Sequence, residues 1–281
     1  MPAIKNEARV ATDADDALLD EFTRIAARAA AAILAVSAPA ATRRDKADSS
    51  PVTIADEASE AVILDGLRQL LPGVPIVSEE AGPERVRPRA GEPFLLVDPL
   101  DGTREFLAGL PEYTVNIALV SEGRPVAGVV AAPALGLAWR GIVGIGAERG
   151  TLASDGSGGE RVSIHTRAWP SGTPRILVSR SHLDAATAAY VERLPQAERI
   201  ACGSSLKFCR LAEGAADLYP RFAPTSEWDL AAGHAVLSAA GGVATQPEGA
   251  PLSYRGGGAG DSIRVPGFIA WGDRVAAAKV F

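Results

Sequence analysis

The chain has 281 residues, of which 47% are apolar, and a formal net charge of −6. Apolar content that high excludes a disordered chain, and the length suits two modest domains or one large one. The acidic balance excludes a general nucleic-acid binder, yet it leaves phosphorylated small molecules open, because bound cations supply positive charge locally.

The N-terminal stretch has no apolar segment behind basic residues, so no secretory signal is expected. Leu18, Phe22, Ile25, Ala29, Ile33 and Val36 recur at steps of three and four, which predicts one helix face. Thr12 or Asp13 suits its start and Pro39 its end. No run reaches the roughly 20 apolar residues of a membrane span. Ala40 to Ser50 reads as loop and Pro51 to Ile54 as a short link, followed by a helix from Asp56 to Leu71. Apolar runs at Pro75 to Ser78, Phe94 to Asp98, Tyr113 to Val120 and Val126 to Ala132 read as strands. Gly144, Gly146 and Gly150 mark tight turns, and Ser154 to Glu160 a flexible loop.

Beyond His165 strand and helix alternate. Arg175 to Ser179, Asp217 to Pro220 and Phe268 to Trp271 read as strands. Asp184 to Leu194, Ser204 to Glu213, Trp228 to Ala240 and Val275 to Val280 read as helices, and Gly256 to Gly260 as loop. Cys202 and Cys209 match neither a secreted disulfide framework nor a zinc pattern, and read as small buried hydrophobes. His165, His182 and His234 share no ligand spacing.

The most informative stretch is Phe94 to Phe106. A buried strand delivers Asp98, Pro99 turns the chain, and Asp101, Gly102 and Thr103 follow. Two carboxylates at a strand end suit a hard cation such as Mg²⁺. Gly102 permits close approach of backbone to a ligand, and free N–H groups at a helix start would receive a phosphate oxygen. A pair of aspartates that only caps a turn would explain this block alone. Two further acidic blocks weigh against that: Val77 to Glu80, where a strand again ends in carboxylates, and Glu227 to Gly233, where Asp229 lies in the first turn of an apolar helix.

In this order, Glu79-Glu80, then Asp98-Pro99-Leu100-Asp101-Gly102-Thr103, then Trp228-Asp229 with Ala231-Ala232-Gly233, the chain resembles the inositol monophosphatase-like phosphatases. Ser50 to Asp56 fits the same superfamily. Within it, the bacterial 3'(2'),5'-bisphosphate nucleotidase branch is the nearest likeness, through Arg104-Glu105-Phe106, Tyr113 to Leu119, Gly203 to Cys209 and Ala216 to Arg221. Val265 stands where Asn is expected, and Trp139 where Tyr is frequent.

The resemblance implies a layered αβαβα sandwich of mixed α+β and α/β character. Residues 1–165 would form an α+β domain with most metal ligands, and residues 166–281 an α/β domain with Asp229 and the recognition residues. It implies two or three Mg²⁺ ions held by Glu79, Asp98, Asp101, Asp229 and the Leu100 carbonyl, and inhibition by Li⁺. Thr103 paired with Asp56 would orient and help deprotonate the attacking water, with Glu79 also assisting catalysis. Gly203, Ser204, Ser205, Lys207 and Arg221 are the recognition candidates, beside Leu100, Asp101, Gly102, Thr103 and Asp229. Helical spacing would put Ser204 and Lys207 on neighbouring faces.

The implied substrate is a small phosphorylated nucleotide, adenosine 3',5'-bisphosphate or its sulfated relative, in the cytoplasm or peripherally at the inner membrane face. Nucleic acid and an integral membrane segment are not expected, and the oligomeric state is open between monomer and homodimer. Haloacid dehalogenase-type phosphatases separate their aspartate pair by one residue, whereas Asp98 and Asp101 are separated by two. Inositol monophosphatase and fructose-1,6-bisphosphatase activity remain alternatives, as does a metal- and nucleotide-binding sensor without turnover.

Overall fold

A computed structural model describes residues 4–36, 44–45, 51–81, 86–153, 158–181, 183–257 and 263–279. The chain runs through α1 (Ile4–Ala35), β1 (Arg44–Asp45), β2 (Pro51–Val52), α2 (Ile54–Leu70), β3 (Ile76–Ser78), β4 (Phe94–Asp101) and α3 (Thr103–Leu107). It continues through β5 (Thr114–Ser121), β6 (Arg124–Ala132), β7 (Leu137–Ile142), β8 (Gly146–Leu152), β9 (Gly158–Ile164) and β10 (Arg175–Ser179). The remainder is α4 (Ala185–Glu192), β11 (Glu198–Cys202), α5 (Leu206–Ala212), β12 (Leu218–Arg221), β13 (Thr225–Ser226), α6 (Glu227–Ala239), β14 (Val243–Thr245), β15 (Arg264–Val265), β16 (Phe268–Trp271) and α7 (Arg274–Ala277).

Two large sheets organise these elements. Strands β3 to β9 form a seven-stranded sheet in chain order, with β3 parallel to β4 and the rest antiparallel. The second sheet has five strands in the order β11-β10-β12-β16-β14. Alternation along β4 assigns its apolar side chains to two cores. Leu95 and Val97 join Phe22, Ile33 and Ile63 from α1 and α2, whereas Phe94 and Leu96 join Phe208, Leu230 and Val236 from α5 and α6. Burial on both faces explains why this strand reads as an unbroken apolar run. A third core, with Ile176, Leu218 and Trp271 from the second sheet, is closed by Val191 of α4 and Ala277 of α7. The order of layers is therefore helix, sheet, helix, sheet, helix, the expected sandwich.

Absent side chains set the spacing of the middle layer. A Cβ on Gly128 of β6 would lie 2.6 Å from the Ala232 carbonyl of α6, and one on Gly141 of β7 would lie 2.7 Å from Ala239 Cβ. On another side of α6, a Cβ on Gly233 would lie 2.6 Å from Phe208 Cβ of α5. Hydrogen on these three Cα atoms lets α6 approach both neighbours closely.

Several local expectations change. Helix α1 starts at Ile4, before Thr12 and Asp13, because no Gly or Pro interrupts Ile4 to Ala35. Pro39 lies outside the described residues, as do residues 40–43, 46–50, 154–157 and 258–260. Where a loop and link were expected, Arg44–Asp45 pairs antiparallel with Pro51–Val52. Of the glycines expected to mark tight turns, Gly144 lies in the connection of the β7–β8 hairpin, whereas Gly146 opens β8 opposite Ile142 and Gly150 sits inside β8 opposite Ala138. Residues 158–160, expected in a loop, lie in β9, where Gly158 pairs with Leu152. Strand β4 continues past Pro99 to Asp101 instead of turning away at Asp98. The helix expected from Ser204 starts at Leu206, since Ser204 has φ of +41°, outside the helical region.

Candidate active site

Carboxylates from three elements meet where β4, the end of β3 and the start of α6 converge. On β4, Asp98 follows the Phe94–Leu96 face that packs on α6. A register shift between Asp98 and Asp101 interrupts pairing with β5. Regular alternation would send Asp101 to the opposite face, but this bulge re-aims it, and both side chains line one cavity. Leu100, inside the bulge, turns its side chain into the α1/α2 core. Asp98 Oδ1 accepts from Leu100 N–H at 3.0 Å, and Ser59 Oγ donates to the Pro99 carbonyl at 2.7 Å. Those two bonds fix the bulge. Glu79 follows β3, and its N–H donates to the Val97 carbonyl at 3.1 Å, extending the parallel pairing.

Two helix starts supply the remaining acids through the same local motif. In α2, Asp56 accepts from Thr53 N–H at 2.8 Å and Thr53 Oγ1 at 2.7 Å, while Thr53 Oγ1 receives Ala55 N–H. In α6, Asp229 closes a capping box with Ser226 and also accepts from Thr225 Oγ1 at 2.5 Å. Both patterns, Thr-x-x-Asp and Ser-x-x-Asp, are legible in the sequence at Thr53 and Ser226, whereas the contact from Thr225 follows no such spacing rule.

The cavity, about 220 Å³, is lined by Glu79, Asp98, Leu100, Asp101, Gly102 and Thr103 on one side. Ser204, Ser205, Lys207, Arg221 and Asp229 line the other. Thr103 Oγ1 lies 3.3 Å from Asp56 Oδ1 and 3.2 Å from the Leu100 carbonyl, so its proton has two acceptors. Asp56 itself is buried behind Thr103 and is not in the cavity wall. Gly102 precedes α3 with φ of +91°, and a Cβ there would crowd the Glu112 carbonyl at 3.1 Å. Gly203 is not in the wall; its N–H donates to Glu112 Oε2.

The carboxylates perturb one another. Burial, then the charges of Glu79, Asp101 and Asp229, hold the Asp98 carboxyl well above its ordinary range. Burial and then Asp229 push Asp101 up to about 6, against the opposing charge of Lys207. Burial and then Glu79 raise Asp229, opposed by Thr225 and Arg221. Buried oxygen donors that repel each other fit a hard divalent cation such as Mg²⁺, whose charge would relieve the repulsion. Among the described residues no three His, Cys, Asp or Glu side chains form a ready-made ligand cluster; these four carboxylates line an open cavity instead.

Cationic groups face them. Arg221 Nε is buried with no hydrogen-bond partner among the described residues. Lys207 is buried, its Nζ donating to the carbonyls of Ser204 at 2.6 Å and Cys202 at 3.1 Å and lying 5.2 Å from the Tyr219 ring centre. Ser205 Oγ lies 3.0 Å from Asp101 Oδ2 and 2.7 Å from the Asp229 carbonyl, and it accepts from Asn116 Nδ2 at 2.9 Å. Ser205 thus ties β4, β5 and α6 together, a role its position at the start of a helix does not reveal. Elsewhere, His234 Nδ1 is 2.9 Å from Tyr254 Oη, and Trp139 Nε1 donates to Glu213. His182 lies outside the described residues. No described helix is long and apolar enough to cross a membrane.

Comparison with known proteins places this geometry. Over 239 residues the chain is 43% identical to the Escherichia coli (strain K12) 3'(2'),5'-bisphosphate nucleotidase CysQ, spanning 84% of this chain and 94% of that one. The crystal structure of CysQ from Bacteroides thetaiotaomicron superposes with a TM-score of 0.74 at 34% identity, over 90% of this chain and 96% of that one. The inositol monophosphatase from Anabaena superposes with a TM-score of 0.73 at 25% identity, over 94% and 93%. Residues 15–269 match the inositol monophosphatase family, and the chain belongs to that family.

Proposed function

We propose that this chain is a Mg²⁺-dependent 3'(2'),5'-bisphosphate nucleotidase that hydrolyses the 3'-phosphate of adenosine 3',5'-bisphosphate to give AMP and inorganic phosphate. The observation that carries a hydrolytic reading is the meeting of Glu79, Asp98, Asp101 and Asp229 with Thr103 in one cavity. The nucleotide is supported by the names of relatives at 43% identity.

The proposed metal ligands are Glu79, Asp98, Asp101, Asp229 and the Leu100 carbonyl. Four carboxylates exceed what a single octahedral ion takes from protein, which supports two or three ions. Bound Mg²⁺ would neutralise charge on the phosphate and acidify the attacking water. In the proposed proton route, water gives its proton to Thr103 Oγ1 as the Thr103 proton passes to Asp56 Oδ1, 3.3 Å away. The other Asp56 oxygen is held by Thr53, so the acceptor oxygen is fixed. Glu79 supports the same step as a ligand. Arg221, with its unsatisfied Nε, and Ser204, Ser205 and Lys207 are proposed to receive the nucleotide's phosphates and sugar, with Gly203 acting through its backbone. Leu100, Asp101, Gly102, Thr103 and Asp229 would border the scissile phosphate.

Division near residue 165 into metal-carrying and recognition domains is part of the proposal, supported by the change of sheet between Ile164 and Arg175. A cytoplasmic location is supported by the two free, buried cysteines.

The test is phosphate release with Mg²⁺ from adenosine 3',5'-bisphosphate, inositol 1-phosphate and fructose 1,6-bisphosphate side by side. Preference for the nucleotide, abolished by Asp101→Asn, is expected. Preference for either sugar phosphate would retain the metal chemistry and overturn the substrate, whereas binding without turnover would favour a sensor.

A further inference from the structure

The segment joining β11 to α5 holds an unusual backbone. Ser204 has φ of +41°, a left-handed conformation that is unfavourable for a residue with a side chain. Such a conformation persists only where its surroundings impose it. Ser204, Ser205 and Lys207 all line the cavity, so this strained loop shapes the proposed recognition wall.

Glu112, in the connection between α3 and β5, grips that loop from outside the cavity. Its Oε2 accepts Gly203 N–H at 3.0 Å, one residue before the strained position. Its carboxylate also takes a two-pronged bond from Arg180, Nε to Oε2 at 2.6 Å and Nη2 to Oε1 at 2.9 Å. Arg180 in turn donates to the Ala201 carbonyl at 3.2 Å, so the ion pair brackets the loop's entry from both sides. The Glu112 main chain fits against two glycines. A Cβ on Gly203 would lie 2.9 Å from both Glu112 Cβ and its carbonyl oxygen, and one on Gly102 would lie 3.1 Å from that oxygen. One residue therefore touches both the Gly102 turn after the metal-binding bulge and the Gly203 turn before the recognition loop. The side chain is 22% exposed, and the Arg180 bond holds its carboxyl below the ordinary range.

We propose that Glu112 is a positioning residue that, with Arg180, locks the Gly203–Ser205 loop and the start of α5 in their strained form against the metal-binding turn and so sets the affinity for a phosphorylated nucleotide. The proposal rests on the reading of Ser204, Ser205 and Lys207 as recognition residues. Glu112 touches no reacting atom; it acts through Gly203. Its side chain faces the recognition loop, whereas only its main chain meets Gly102. Side-chain substitution should therefore weaken nucleotide binding and spare metal binding.

The experiment compares wild type with Glu112→Gln, Arg180→Gln and the double variant. It measures steady-state hydrolysis of adenosine 3',5'-bisphosphate, calorimetric binding of the same nucleotide, Mg²⁺ half-saturation and the thermal unfolding midpoint. Each single variant is expected to raise KM and Kd about tenfold, with kcat within about threefold and Mg²⁺ half-saturation within about twofold. The double variant should fall short of the product of the two single effects, because the singles share the Glu112–Arg180 pair. Unchanged KM and Kd in both singles overturn the proposal. So does a loss that appears in kcat alone or only alongside a lowered unfolding midpoint. If wild type binds the nucleotide without hydrolysing it, the assigned reaction fails, while a tenfold weaker Kd in the variants still supports the role of Glu112. If wild type neither binds nor hydrolyses it, both fall.

Discussion

Helices α2 and α6 begin with the same device and serve the site differently. Each has a hydroxyl residue at its cap and an aspartate three positions on, closed into a reciprocal box. Asp56 turns one oxygen to Thr53 and the other to Thr103. Asp229 keeps its box with Ser226 and Thr225 but also faces Glu79 and Asp101 across a cavity. A local motif thus fixes where a carboxylate stands; its surroundings differ, a Thr103 hydroxyl for Asp56 and other carboxylates for Asp229.

Substitutions can break that contrast, and the largest effect falls on the repelling group. Asp101→Asn should lower kcat by about a thousandfold or more, as removal of metal-borne charge stabilisation does. In metal-free protein at neutral pH the same change should raise the unfolding midpoint by about a few degrees, because it removes one of several mutually repelling buried charges. Phosphate release and calorimetry check the two signs; a lowered metal-free midpoint would refute the repulsion.

Thr103→Val should reduce kcat by about a hundredfold, typical of losing one proton-transfer partner, with Mg²⁺ half-saturation nearly unchanged. A large shift in Mg²⁺ dependence would mean that Thr103 works on the metal side. Thr53→Ala and Ser226→Ala should each destabilise by about 1 kcal/mol, the usual effect of losing a cap. Their kinetic signatures should part: the first lowers kcat, and the second weakens Mg²⁺ binding. Equal signatures would dissolve the contrast between the two helix starts.

The smallest effect is in pH. Because Asp101 is raised to about 6, the unfolded chain releases that proton first, so metal-free stability should fall as pH rises from about 4 through 6. His234 has the opposite sign. Burial lowers it to about 4, the unfolded chain protonates first, and stability should fall as pH drops from 6.5 towards 4. Denaturation against pH in Asp101→Asn and His234→Gln separates the two slopes.

Much of this was legible in the sequence. The apolar run ending in Asp98, the acids of the first helical turns and the alternation after His165 are local signals, and the layers and carboxylates follow them. What escaped depends on distant partners. Strand β11 carries Glu198 and Arg199 in place of an apolar run, and its pairing along β10 defines it. Strand β9 is hidden by glycines and declared only by its neighbour β8. The bulge that unites Asp98 with Asp101 needs β5 to define its register. Glu112 carries no motif of its own; its importance comes from Arg180 and Gly203, far along the chain.

The three glycines around α6 bear on how this molecule tolerates change. The helix sits in a slot with no slack: Gly128 and Gly141 admit it on the sheet, and Gly233 admits Phe208 on another side. A methyl group added at any of them would come within 3.0 Å of the facing element, so the helix or its neighbour must shift. That displacement would travel along the axis to Asp229, whose carbonyl is held by Ser205 and whose carboxylate faces the other acids. Residues that do not line the cavity thus help to space its walls, and Gly128→Ala should lower phosphate release while leaving every cavity side chain in the chain.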